Sequence, residues 1–272
     1  MRHTISIKAV MAATLLIAAV VATACQPAPV PGRNPVIIVA GTFSPSFANE
    51  ILANRLRADG YDTTIFELPT LGAQDISLTA QALCSEIDVV QAKTGATKVD
   101  LVGHSQGGSV SRYYADLIGG SSKVGNVVGL APSNHATNVS GLLTLGRFIG
   151  AVDPIFALTN WIGLPALKQQ ADPNSSFFAA LNGNGETRSG IRYVNIATKY
   201  DEVVTPYRQA FITAGSGATV QNITLQDVCS GDLTDHLGIV YDTNVYQLVL
   251  NALEPADQRP IACTASLPLF GT

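Results

Sequence analysis

Val99-Asp100-Leu101-Val102-Gly103-His104-Ser105-Gln106-Gly107-Gly108 is the stretch on which the reading of this chain turns. Residues 99–102 form an apolar, β-branched entry, and a Gly-x-Ser-x-Gly turn follows at residues 103–107. Glycines on both sides of a serine permit a strained strand-to-helix turn that lifts the hydroxyl clear of the backbone. Gly108 adds a small residue where helix and strand must pack closely. The exit reads as a helix, because Val110, Tyr114, Leu117 and Ile118 share one face and Gly119-Gly120 then stops it. A Gly-x-Ser-x-Gly spacing alone is weak evidence; a strand before it and a helix after it supply the context that gives it weight.

Working outward, residues 35–40 are a continuous apolar run, as expected of a strand buried on both faces. A helix is expected over residues 48–58 and a strand over 61–66, with Asp59-Gly60 as the stop between them. A second helix is expected over 76–93, ended at Thr94-Gly95. Downstream, residues 124–130, 191–197 and 220–225 read as further strands, and residues 239–253 as an apolar helix. Alternation of this kind implies an α/β fold with a mostly parallel central sheet and helices on both faces. The rhythm breaks over residues 131–180, where Pro and Gly recur among the apolar clusters 142–143, 148–149, 155–156 and 161–162. That segment is read as a helical cap or lid insertion whose side chains could line an acyl pocket.

The chain has 272 residues, 47% hydrophobic and 13% charged, enough to bury one large core and far from a disordered composition. Sixteen Lys and Arg stand against 20 Asp and Glu, so no basic surplus exists to neutralise phosphates, and nucleic acid is excluded as a partner class. A monomer is the expectation. Residues 1–24 open on Arg2 and Lys8, continue through an apolar run and end in Ala22-Thr23-Ala24, the pattern of a signal peptide, so export is expected. Cys25 follows at once, with a Pro-rich tether over residues 25–34 and a catalytic domain expected over 35–272. Two localisations stay open: secreted, or a cell-surface lipoprotein anchored in the membrane through a lipidated Cys25. Among four cysteines, Cys229 and Cys263 are the best pair, since a bridge there would pin the C-terminal tail to the body. Cys84 lies in a helical pattern and is expected as a buried free thiol, with a Cys25–Cys84 bridge as the alternative.

A serine hydroxyl needs a base, ordinarily a histidine oriented by a carboxylate. Of four histidines, His3 lies in the signal segment and His104 adjoins Ser105 with its side chain expected to point away. His135 precedes any plausible acid, which leaves His236, in a loop before the last helix. The acid is expected between Ser105 and His236, just past a late strand, where Asp201 stands; Glu202 is the fallback, and spacing alone leaves Asp227 and Asp232 open. Backbone N–H groups after the serine and after the first strand would form the oxyanion hole, at Gln106 and Thr42, with the Thr42 hydroxyl as a further donor. Histidines and cysteines are too scattered for a metal site, and no cofactor motif is present.

Gly41-Thr42, Ser105-Gln106-Gly107-Gly108, Asp201-Glu202-Val203-Val204-Thr205-Pro206, Cys229 and Asp235-His236 together resemble the lipase class 2 group of α/β-hydrolases and bacterial extracellular lipases. The resemblance runs from about residue 35 to 263 and is thin through the insertion. It implies an α/β-hydrolase fold, a Ser105, Asp201, His236 triad, a Thr42 and Gln106 oxyanion pair, a late disulfide, and action on acyl esters or triacylglycerols. His104 stands where the fungal members have Trp, and their early disulfide has no counterpart here. The expected function is a carboxylic ester hydrolase working through an acyl-Ser105 intermediate. The alternatives are a cell-envelope acyltransferase or a polyester hydrolase with the same triad, and a non-catalytic surface lipoprotein, which the complete Ser, Asp, His set argues against.

Overall fold

The computed structural model describes residues 27–138, 141 and 163–269. The signal segment, Cys25 and the apolar clusters 142–143, 148–149, 155–156 and 161–162 lie outside them. Six strands form one sheet: β1 (Val36–Val39), β2 (Thr63–Phe66), β3 (Val99–His104), β4 (Val124–Leu130), β5 (Arg192–Ala197) and β6 (Thr219–Thr224). Their order is β2-β1-β3-β4-β5-β6 and every pairing is parallel.

The period of two along β1 explains its uninterrupted apolar sequence. Ile37 and Val39 join the core on one face of the sheet, and Val36 and Ile38 join the core on the other. All four are essentially inaccessible, each burial contributing about 1.5–3 kcal/mol. The first core receives helices α2 (Ile76–Thr94) and α3 (Gln106–Leu117); the second receives α1 (Glu50–Ala58) and α7 (Thr243–Leu253). Local chemistry sets the helix ends. Asp75 caps α2 by accepting from the Ser77 and Leu78 amides, and Gly95 ends it at φ 71°.

One sequence expectation changes. The helix expected over 239–253 is split: Gly238–Val240 is a single 3-10 turn, and α7 begins afresh after Asp242, whose carboxylate accepts from Asn244 and Val245 amides at 2.7 and 2.9 Å. A capping carboxylate offers those amides a partner that a continuous helix would deny them. The described end of the segment read as an insertion, residues 163–180, packs into the domain core. Helices α4 (Pro165–Ala171) and α5 (Ser176–Asn182) form there, and Ala166, Phe177, Phe178 and Leu181 are buried in the same core as Leu83, Val110 and Tyr114. These helices belong to the body of the domain.

Candidate active site

Ser105 sits between β3 and α3 at φ 53°, ψ −123°, a conformation that L-residues rarely adopt. The Ser105 amide donates to the Leu130 carbonyl at 2.9 Å, continuing the β3–β4 ladder one residue past the strand. The flanking glycines are required by contact: a Cβ at Gly103 would lie 2.4 Å from the Gly107 oxygen, and one at Gly107 would lie 2.2 Å from the Val39 oxygen. Backbone therefore touches backbone on both sides of the serine, which fixes where its side chain projects.

Asp201 lies in the loop leaving β5, and His236 in the loop after the short α6 (Leu225–Val228). The His236 Nδ1 stands 2.9 and 3.0 Å from the two Asp201 oxygens, and Asp201 Oδ1 also accepts from the Val203 and Val204 amides at 2.9 and 2.7 Å. Both residues are buried, His236 completely. Burial by itself would depress the His236 pKa; the Asp201 charge and hydrogen bond outweigh it and hold the ring above its ordinary value. Its Nε2 is buried and makes no hydrogen bond among the described residues. The two loops are stitched together by Gln226, which donates to the Thr198 hydroxyl at 2.9 Å and to the Asp232 carbonyl at 3.1 Å, and by Thr198, which donates to the Thr234 carbonyl at 2.6 Å.

The other acids are occupied elsewhere. Asp227 is exposed and pairs with Lys199 at 2.5 Å, while Asp232 accepts from the Thr234 amide and Asn244, each at 2.8 Å. Glu202 does meet the base, though at its main chain: Oε2 accepts from the His236 amide at 3.2 Å, and burial raises its pKa. His135 has other partners, its ring lying between the Gln209 carbonyl at 3.0 Å and Glu186 at 2.6 Å.

Thr42 follows β1 and Gln106 opens α3, so both lie at the carboxyl ends of central strands. The Thr42 hydroxyl is buried without a hydrogen-bond partner. Sequence reasoning missed the loop after β2, which braces this pair. The Gln106 side chain donates to the Gly72 carbonyl at 3.1 Å, and the Leu71 carbonyl accepts from the Phe43 amide at 2.8 Å. A Cβ at Gly72 would approach the Gln106 Oε1 and lie 3.3 Å from the Thr42 Cα, so glycine is needed there for contact as well as for its φ of 78°. His104 was also missed as a partner of the base; its Nε2 stands 2.9 Å from the His236 carbonyl.

Cys229 and Cys263 form a disulfide, and Cys84 carries a free, half-buried thiol. The bridge holds the C-terminal tail beside the His236 loop, where the Leu233 amide donates to the Ser266 carbonyl at 3.0 Å. Among the described residues no group of His, Cys, Asp and Glu is placed to hold a metal ion, and no helix is long and apolar enough to cross a membrane.

Comparison with known proteins agrees with this fold. Residues 34–160 match the α/β hydrolase fold family. A triacylglycerol lipase of Pseudarthrobacter phenanthrenivorans is 37% identical over 90 residues, covering 30% of this chain and 28% of that protein. The crystal structure of Aspergillus fumigatus lipase B superposes with a TM-score of 0.69 at 21% identity, over 96% of this chain and 60% of that one. A mature lipase of Bacillus licheniformis gives 0.60 at 17% identity, over 84% and 95%. This chain thus spans about a quarter of the lipase relative's length and three fifths of the Aspergillus chain. Parallel sheet, serine elbow and these matches agree on one architecture: the chain has the α/β-hydrolase fold.

Proposed function

We propose that this protein is a serine carboxylic ester hydrolase, a lipase or esterase that cleaves acyl esters or triacylglycerols through an acyl-Ser105 intermediate. The observation that carries the proposal is a buried His236 locked to Asp201 through Nδ1, its Nε2 unengaged, on the sheet edge where the strained Ser105 turn projects its side chain. The match to a triacylglycerol lipase supports the substrate class.

In the proposed reaction Ser105 Oγ attacks the acyl carbonyl carbon while His236 Nε2 takes its proton. The imidazolium that forms is stabilised by Asp201. The carbonyl oxygen, now an anion, is met by the backbone N–H groups of Thr42 and Gln106 and by the Thr42 hydroxyl, at the positive end of the α3 dipole. The ester C–O bond then breaks, and His236 returns the proton to the departing alcohol. Water, deprotonated by the same Nε2, hydrolyses the acyl-serine. We further propose export directed by residues 1–24, either as a secreted protein or as one anchored through Cys25; the small-x-small pattern before Cys25 supports this.

Hydrolysis of p-nitrophenyl esters from acetate to palmitate by the full chain and by Ser105→Ala, with a serine-directed phosphonate probe, tests the reading. Turnover and labelling should vanish together in the variant. Persistent turnover in Ser105→Ala would refute the nucleophile, and an inactive, unlabelled wild-type protein would refute the hydrolase.

A further inference from the structure

We infer that His104 is a positioning residue of the base: its ring donates from Nε2 to the His236 carbonyl and fixes the main chain from which the His236 imidazole turns. The inference rests on the reading of His236 as the base and deepens it.

A carbonyl oxygen can only accept, so the 2.9 Å contact requires a proton on the His104 Nε2. In its neutral form the ring is therefore the Nε2–H tautomer. Room for it is built in. A Cβ at Gly41, directly after β1, would lie 2.9 Å from the His104 Nδ1 and 3.3 Å from the Ser105 Cβ, so the glycine leaves space for ring and nucleophile together. The two imidazoles then lie 5.0 Å apart, tilted by 43°. A charge on both would be repulsive; burial, and after it the neighbouring His236, bring the His104 pKa down to about 3.

His236 has four polar atoms, and three are held by side chains from two different strand ends. Asp201 takes ring Nδ1, Glu202 takes the amide at 3.2 Å, and His104 takes the carbonyl. Nε2, the atom assigned to the proton of Ser105, is the one left over. Since His104 adjoins Ser105 in the chain, its contact with the His236 carbonyl ties the base directly to the nucleophile's own turn. A residue that merely filled the core would not need a donor at that point.

The wild-type protein gives the first test. Long-range 1H–15N spectra of the imidazole nitrogens should show His104 as the Nε2–H tautomer, neutral across roughly pH 5 to 8; an Nδ1–H tautomer, or titration of His104 in that range, overturns the inference. Kinetics of His104→Phe and His104→Gln on p-nitrophenyl butyrate give the second. Phe keeps bulk without a donor and should lower kcat on the order of 10- to 100-fold, with KM nearly unchanged, as expected for a slightly misplaced base. Gln carries an amide donor at similar reach and should recover most of that loss. Unimpaired kcat in His104→Phe, or equal impairment in both variants with folding confirmed by melting, overturns the positioning role. Ser105→Ala separates the two levels: activity there sinks the triad itself, whereas an inactive Ser105→Ala beside a fully active His104→Phe sinks only this inference. Should neither His104 variant fold, the tautomer decides.

Discussion

Replacing Asp201 by Asn alters one atom's hydrogen-bonding sense and little else, so its effect can be worked from the contacts. In the native protein Oδ1 accepts from the Val203 and Val204 amides at 2.9 and 2.7 Å, and Oδ2 faces His236 Nδ1 at 3.0 Å. An asparagine must leave its carbonyl on the two backbone donors, since reversing the amide would strand both. Its NH2 then faces Nδ1. That donor favours the imidazole tautomer with Nδ1 bare and the proton on Nε2, which cannot accept a proton from Ser105. Loss of the correct tautomer through this change is worth on the order of 10,000-fold in kcat, or about 5.5 kcal/mol. Melting should move little, because the side chains are isosteric. The acid limb of the residual activity should also shift. Asp201 is the leading cause of the raised His236 pKa, so without its charge the opposing effect of burial gains weight and the limb moves to lower pH. Steady-state kinetics of Asp201→Asn on a p-nitrophenyl ester provide the assay. A loss under about tenfold, or an acid limb that stays where it was, would refute the assignment of Asp201 as orienting acid.

Thr42→Val removes a buried hydroxyl that has no protein partner. Melting should therefore hold or rise slightly, while kcat falls roughly 10- to 100-fold if that hydroxyl meets the oxyanion; an unchanged kcat would restrict Thr42 to its backbone N–H. The Cys229–Cys263 bridge spans 34 residues, so Cys229→Ser with Cys263→Ser should cost about 4 kcal/mol and lower the melting temperature by roughly 8–16 °C. A shift under about 2 °C would show that the tail is held by its other contacts. His104 makes an acid-side contribution of definite sign. Its folded pKa, about 3, lies below the ordinary 6.5, so the unfolded chain takes up the proton first as pH falls. Stability from this residue is complete above about pH 6.5 and is lost by up to about 1.4 kcal/mol per pH unit between there and pH 3. Urea titrations from neutral to acid pH should show that slope, and its persistence in His104→Gln would assign it to other groups.

The sheet was legible because its strands carry their burial in their composition. Residues 35–40 and 124–130 read as strands from their composition alone, where the structure has β1 and β4, and the elbow announced itself through glycines whose absent side chains are demanded by contacts under 2.5 Å. Boundaries were less legible where a side chain competes with the backbone. The split before α7 follows from the Asp242 cap, a signal present in Asp242-Thr243-Asn244-Val245 but masked by the apolar run around it. The choice among Asp201, Glu202, Asp227 and Asp232 could not be read from spacing, because it depends on which partners the fold supplies: Lys199 for Asp227, Asn244 for Asp232, the His236 amide for Glu202. His104 was illegible for the same reason. Alternation along β3 predicts that it turns away from the serine, but its partner lies 132 residues on, and no local pattern connects them.

Among the described residues, five other than glycine adopt positive φ: Phe43, Thr70, Leu71, Ser105 and Ala131. Every one lies just past the carboxyl end of β1, β2, β3 or β4. Such conformations cost about 1–3 kcal/mol each and persist only where surrounding structure over-determines them. Here the sheet does so by extending its own ladder. The Ser105 amide reaches the Leu130 carbonyl at 2.9 Å and the Ala131 amide reaches the Ile196 carbonyl at 2.8 Å, each the next rung after the last regular pair. Phe43 and Leu71 are joined amide to carbonyl across the β1 and β2 exits at 2.8 Å. Among the described residues this non-glycine strain thus gathers at the edge of the sheet that carries Thr42, Ser105, Gln106 and Asp201. The nucleophile's turn is held by a rung of the central sheet, and the loop carrying the proposed Thr42 donor is held by the loop beside it.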